Sequence, residues 1–279
     1  MIKLLAAIDG LNYSQTTEEF AIHLAKQMKA HVVGVFLDDF TRHSQGVYEL
    51  MSSEGGLEET KLNSLEQEDK ELRDQSKSRF KLACEEAGIT YSIHHDRNIA
   101  IQELLKESIY ADLLIIDSKE TISHFTENPP TRFIKDLLSR VDCPVLLVPQ
   151  SFYPIRKIIL LYDGEPSSVF AIKSFCHLLD PLTGLESELI HVKAPNESEQ
   201  LPDNRLMKEF MRMHFPKSVY TVLKGLPDVE IIDYLKDKHQ HALVVLGGYN
   251  RGPLSRWLKP SVTNALIMEV STPIFLAHY

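Results

Sequence analysis

The chain has 279 residues, a formal net charge of −9, 43% hydrophobic and 25% charged residues, and a mean hydropathy of −0.15, values that suit a globular protein long enough for two domains. The negative balance argues against a general nucleic-acid binder, whose affinity rests on clustered Lys and Arg. No apolar run approaches the roughly 20 residues of a membrane-spanning helix. The opening MIKLLAAIDG lacks a signal-peptide pattern, so the expected location is the cytoplasm, with no membrane partner. Cys84, Cys143 and Cys176 have no paired spacing, so neither a disulfide framework nor a cysteine zinc site is indicated.

In chain order, short apolar strands are expected at Lys3 to Ile8, His31 to Leu37, Ile89 to His94, Asp112 to Ile116 and Pro144 to Val148. Helices are expected at Thr16 to Lys29, about Leu57 to Ala87, Ile99 to Tyr110 and Phe133 to Arg140. The schedule then starts again. Strands are expected at Lys157 to Tyr162, Leu185 to Val192, Ser218 to Leu223, Ala242 to Leu246 and Pro273 to His278. Their helices fall at Ser167 to Leu179, Asp203 to His214, Asp228 to Lys238 and Val262 to Glu269. Continuous apolar strands alternating with helices imply α/β architecture, here two tandem doubly wound parallel-sheet domains, at 1–150 and 155–279.

Two landmarks carry the repeat: KLLAAIDG at Lys3 to Gly10 returns as KIILLYDG at Lys157 to Gly164, and Cys143-Pro144 before the last strand returns as Thr272-Pro273. Asp9 and Asp163 are 154 positions apart but Pro144 and Pro273 only 129, so the first copy carries about 25 extra residues. They are expected as an inserted helical segment at about 40–86. On its helix Leu65, Leu72 and Phe80 are expected to form the apolar side, lying on the sheet or serving as a partner-binding arm. The loop His43 to Gly56 reads as mobile. Pro149 to Arg156 is a short inter-domain join.

In an open parallel sheet the ligand crevice lies beyond the carboxyl ends of the strands, where the winding reverses. Asp9 and Asp163 stand at such ends, each followed by Gly. Their carboxylates could accept hydrogen bonds from a ligand or simply brace the turn. After the fourth strand of the second copy comes Gly247-Gly248-Tyr249-Asn250-Arg251-Gly252, ending at Pro260-Ser261 before a helix. Glycines, basic side chains and a helix start are the parts of a phosphate cradle. The matching segment of the first copy has Asp117, Glu120 and Glu127 and no glycine, and such carboxylates would repel a polyphosphate. His94-His95-Asp96 makes a poor metal site, because neighbouring strand side chains point to opposite faces. No nucleophile elbow or P-loop is present.

The Asp-Gly strand ends, the glycine loop and the Pro-led closing strands resemble the universal stress protein family in its tandem two-domain form. Family members that bind ATP carry Gly, two residues, Gly, nine residues, Gly, then Ser or Thr. That spacing falls here on Gly247, Asn250, Pro260 and Ser261. Asn250 tolerates the left-handed turn, whereas Pro260 removes an N–H donor, a loss of about 1.5–3 kcal/mol. Arg251, Arg256 and Lys259 could offset it. The resemblance implies an adenine nucleotide (ATP, ADP or AMP) in the second domain and none in the first. The implied site is Asp163, Gly164, Val192, Gly247, Gly248, Asn250, Arg251, Gly252, Ser261 and Val262, with no catalytic residue and no metal. It also implies that Val145 to Val148 and Ile274 to Ala277 pair antiparallel, an intramolecular pseudo-dimer. The expected function is a non-catalytic stress-response module with an unidentified protein partner. The alternative is a nucleotide-free scaffold working through protein contacts or another small ligand. Weak ATP hydrolysis would be a third class, with Asp163 the one carboxylate in place for it.

Overall fold

The computed structural model describes residues 1–39, 59–95, 97–123, 126–198, 200–238, 241–248 and 260–278. Two compact units form: residues 1–127 with 131–142, and residues 128–130 with 143–279.

In the first unit four parallel strands stand in the order β3-β2-β1-β5: β1 (Lys3–Asp9), β2 (His31–Asp39), β3 (Tyr91–His94) and β5 (Leu113–Asp117). A two-residue strand, β4 (Arg97–Asn98), pairs with the end of β2. Its helices are α1 (Gln15–Met28), α2 (Glu59–Ala87), α3 (Ala100–Ser108) and α4 (Arg132–Arg140). The strands form where expected because Leu4 to Ile8, Val32, Val33 and Leu113 to Ile116 are buried to 4% exposure or less, with helices on both sheet faces. Two helix starts are written locally. Ser14 Oγ accepts from Thr17 N–H at 3.3 Å and Thr131 Oγ1 from Ile134 N–H at 3.2 Å, each cap worth about 1 kcal/mol.

In the second unit the order is β6-β11-β10-β7-β8-β9. The strands are β6 (Val145–Val148), β7 (Lys157–Leu161), β8 (Glu186–Lys193), β9 (Val219–Lys224), β10 (Ala242–Gly247) and β11 (Ile274–Ala277). The helices are α5 (Pro166–Leu178), α6 (Asn204–His214), α7 (Pro227–Lys238) and α8 (Pro260–Glu269). Pro166 occupies the first turn of α5, where its missing N–H is harmless. All pairs are parallel except β6 with β11, which run antiparallel with Leu146 opposite Phe275. Strand β6, expected at the end of residues 1–150, thus lies within the second unit, joined to it by backbone hydrogen bonds along β11.

Helix α2 corrects one expectation. Its buried stripe is Arg73, Ser76, Phe80 and Cys84, at spacings of three, four and four, whereas Leu72 is 46% exposed. The side chain of Leu65 lies outside the described residues, as do residues 40–58 with the loop expected at His43 to Gly56. Phe80 takes the apolar position because β2 offers it Gly34. A Cβ there would sit 2.6 Å from the Phe80 ring, and Phe36 meets the ring edge-on at 5.9 Å between centroids.

Candidate functional site

In each unit the winding reverses beside the first strand, between β1 and β5 and between β7 and β10, which places a crevice at the carboxyl ends of those strands. Asp9 and Asp163 close β1 and follow β7, and both are buried. The two side chains make equivalent local bonds. Asp9 Oδ1 accepts from Leu11 N–H and Asp163 Oδ1 from Glu165 N–H, both at 2.9 Å. Bracing its own turn is therefore one role of the aspartate in both places.

Around Asp9 the first unit assembles more carboxylates. Asp117 ends β5, where its Oδ1 accepts from Lys119 N–H at 2.8 Å and its Oδ2 from the Ser14 hydroxyl at 3.1 Å. Glu120 is 5% exposed and accepts from Thr121 N–H at 2.9 Å and Ile122 N–H at 3.0 Å. Burial, then the charge of Asp9 and to a smaller degree that of Asp117, push its carboxyl up to about 7 despite those N–H groups. Glu127 has a different place from the other two: its Oε2 accepts from Arg132 N–H at 2.9 Å at the start of α4.

Helix α2 reaches the same crevice. Arg73 Nη2 lies 3.1 Å from Asp38 Oδ1 and 3.4 Å from Asp69 Oδ2, with the Arg73 and Asp38 side chains 6% and 4% exposed. Its stem crosses Gly10, where a Cβ would meet Arg73 Cγ at 3.1 Å, and Ser76 donates to the Gly10 carbonyl at 2.8 Å. Arg79 stacks over the Tyr13 ring at 4.6 Å, and Tyr13 donates to Glu18.

The second crevice is built from smaller groups. Gly164 turns at φ +90 and Gly248 at φ +55, conformations that favour glycine. Gly247 lets β10 approach the start of α5, since a Cβ there would fall 2.3 Å from the Ser167 carbonyl oxygen. Val192 is buried near the end of β8, beside His191, whose Nδ1 donates to the Tyr162 carbonyl at 2.7 Å and whose imidazole is held below its ordinary range by burial. Val262 is buried in α8, and Ser261 is the second residue of that helix. Asn250, Arg251 and Gly252, with the rest of 249–259, lie outside the described residues. One neighbour was not foreseen. Pro202 packs over Gly164, where a Cβ would meet its ring at 2.9 Å, and Tyr162 donates to the Pro202 carbonyl at 3.3 Å. Tyr162 is pushed up to about 12 by burial and by the charges of Asp203, Asp163 and Glu165, so negative charge gathers on the β7 side of this crevice.

His94 Nδ1 contacts Glu107 Oε1 at 2.5 Å and His95 Nε2 lies 3.9 Å from Asp38 Oδ2, while Asp96 is outside the described residues. Among the described residues no cluster of three metal-ligating side chains occurs, and no helix is long and apolar enough to cross a membrane.

This fold has counterparts among solved structures. A universal stress protein from Archaeoglobus fulgidus DSM 4304 superposes with a TM-score of 0.71 at 15% identity, covering 99% of this chain and 98% of that one. A putative universal stress protein from Pseudomonas aeruginosa UCBPP-PA14 superposes with a TM-score of 0.57 at 16% identity, covering 99% and 92%. No curated protein matches the sequence. The sequence profile of the universal stress protein family matches residues 1–149. More than half of the chain thus carries the family's sequence pattern as well as its fold, and the chain belongs to the universal stress protein family.

Proposed function

We propose that the chain is a tandem stress-response module in which the second unit takes an adenine nucleotide without turning it over, while the first serves as scaffold. The family supports the stress-response role. The reading of the second crevice rests on one contrast. At the β7/β10 switch point Gly247 stands where Asp117 stands at the β1/β5 one, and Gly248, with φ +55 and only the Ser167 Cβ within 4 Å of where its own Cβ would lie, follows it, so that no carboxylate closes this strand and the backbone beyond it is open to a ligand.

The fit differs between units. In the first, a polyphosphate would meet Asp117, the partly ionised Glu120 and the Arg73 stem over Gly10, and these residues do not suit it. In the second, Asp163 suits an adenine amino group or a ribose hydroxyl, and Gly247 and Gly248 suit the phosphate end. The acidic Glu165 and Asp203 stand on the Asp163 side, where a hydrogen-bond donor is wanted. A bound nucleotide would supply only a charged, hydrogen-bonding ligand that orders the surface around it.

Equilibrium titration with MgATP, MgADP and AMP tests this. Saturable binding is expected for the whole chain and for Asp9→Ala, and at least tenfold weaker binding, about 1.4 kcal/mol, for Asp163→Ala. No binding at millimolar nucleotide, or equal loss in both variants, would reject it. The packing of Pro202 against Gly164 favours a second reading, a nucleotide-free scaffold acting through an unidentified protein partner or another small ligand. In that case Pro202→Gly would leave nucleotide affinity at zero.

A further inference from the structure

Helices α2 and α6 hold the same place in their units, between the second and third strands. On α2 the residues Phe80 and Cys84 are buried, and their counterparts on α6 are the buried Met207 and Met211, again four apart. With these pairs aligned, Arg79, Ala83 and Glu86 stand where α6 has Leu206, Phe210 and Met213. Spacings of four and three put those three on one side of α6. Leu206 is 58% and Met213 75% exposed, and Phe210 is half-buried. Single exposed apolar residues are ordinary. A stripe of them, at positions that include Arg79 and Glu86 on the counterpart helix, is not something the fold demands.

Charge decides what covers this stripe. Between Asp203 and Lys217 stand four Lys or Arg and two carboxylates, in a protein of net charge −9. Arg205 and Arg212, each one residue before an end of the stripe, are both exposed. Two copies of α6 packed antiparallel about a two-fold axis would set these arginines against each other, so the stripe is a poor partner for itself. The complement lies on α2. Before Arg73 no described side chain of that helix is buried, and from Glu59 to Leu72 it carries five carboxylates and two lysines. Leu72 is 46% exposed, with Glu71 beside it in sequence and Glu68 one turn back. A helical half without buried side chains is marginal in water, and a partner supplies what it lacks.

We propose that the outer face of α6 docks the acidic amino half of α2 from a second copy of the chain. Leu72 covers the stripe of Leu206, Phe210 and Met213, and the carboxylates around it, Glu68 and Glu71 among them, face Arg205 and Arg212. The two surfaces differ, so the contact is heterologous and copies add in succession as concentration rises. One helix laid on another buries less area than a stable dimer needs, which makes the association weak and reversible. Its charged rim makes it sensitive to salt. The proposal is independent of nucleotide binding in the second crevice.

The test is sedimentation equilibrium of the whole chain over a range of concentrations, at low and at high salt. The average mass of the wild type is expected to rise above that of the monomer with concentration and to fall back as salt is added. Two charge-reversed variants separate the surfaces: one carries Arg205→Glu and Arg212→Glu, the other Glu66→Lys, Glu68→Lys and Glu71→Lys. Each alone should self-associate at least about tenfold more weakly. Mixed in equal amounts they should form a one-to-one pair, because the acidic α6 of the first now matches the basic α2 of the second. All five positions are exposed, so circular dichroism and the denaturation midpoint stay at the wild-type values. A wild type that remains monomeric at millimolar chain, self-association that survives either set of reversals, or a mixture that stays monomeric would each overturn the proposal.

Discussion

The crevice of the first unit and that of the second share a backbone device and differ in what surrounds it. Asp9 and Asp163 each accept, through Oδ1, from the N–H two residues on at 2.9 Å, although the glycine that follows has a positive φ only in the second unit. Beside Asp9 stand Asp117, the buried Glu120 and the Arg73 stem; beside Asp163 stand Gly247, Gly248 and the Pro202 ring. The comparison teaches that the Asp-Gly strand end has a structural reason to exist with or without a ligand. The capacity to bind one depends on the neighbours that tertiary folding delivers.

The strongest way to break this comparison is to remove the buttress of the first crevice. Arg73→Met takes the guanidinium from the buried Asp38 carboxylate and is expected to destabilise the chain by about 3–5 kcal/mol in urea denaturation. Asp38→Asn added to it should recover part of the loss. Phe80→Ala, which empties the space over Gly34, should cost a similar 3–5 kcal/mol.

The next effect concerns pH. The Glu120 carboxyl is raised from its ordinary 4.5 to about 7, so folding favours its protonated form. Its contribution to stability is complete below the unfolded-chain value and is lost as pH rises through about 7. Glu120→Gln keeps the acceptor for the two N–H groups and cannot ionise. At pH 8 it should stabilise the chain by up to about 3 kcal/mol, and the fall in stability across that window, measured by denaturation at several pH values, should flatten. An unchanged pH profile would show that the first crevice carries no such buried acid.

Gly247→Ala sharpens the comparison from the other side. The added Cβ meets the Ser167 backbone, so a loss of about 1–3 kcal/mol is expected, measurable as a lowered denaturation midpoint. Nucleotide affinity should fall with it. The smallest effect is expected from Leu72→Ala. Its side chain is 46% exposed, and its removal should change stability by no more than about 0.5 kcal/mol in the same assay that registers Phe80→Ala.

That last pair marks where the sequence was legible and where it was not. Strand and helix bounds follow local periodicity and lie within about two residues of expectation. The caps at Ser14 and Thr131 and the start of α5 at Pro166 are written in adjacent residues. On α2, hydrophobicity pointed to Leu72, yet the buried position is Arg73, one residue on. Nothing local announces that Asp38, at the end of β2, will be there to receive a charge. A charged and a small polar residue at 73 and 76, in step with Phe80 and Cys84, were the only signal. Likewise Pro202 lies 38 positions after Gly164, and a cavity bounded by Tyr153, His241 and Thr272 draws on three distant stretches.

By itself, then, the sequence determined the order and kind of the elements, the aspartate at the end of each first strand, and the glycines that allow tight turns. These depend on side-chain period, branching and backbone freedom over a few residues. Tertiary structure alone decided which face of α2 is buried and that Glu120 is buried within the field of Asp9. The physical reason is that burial and the field of neighbouring charges arise only when segments distant in the chain exclude water from one another.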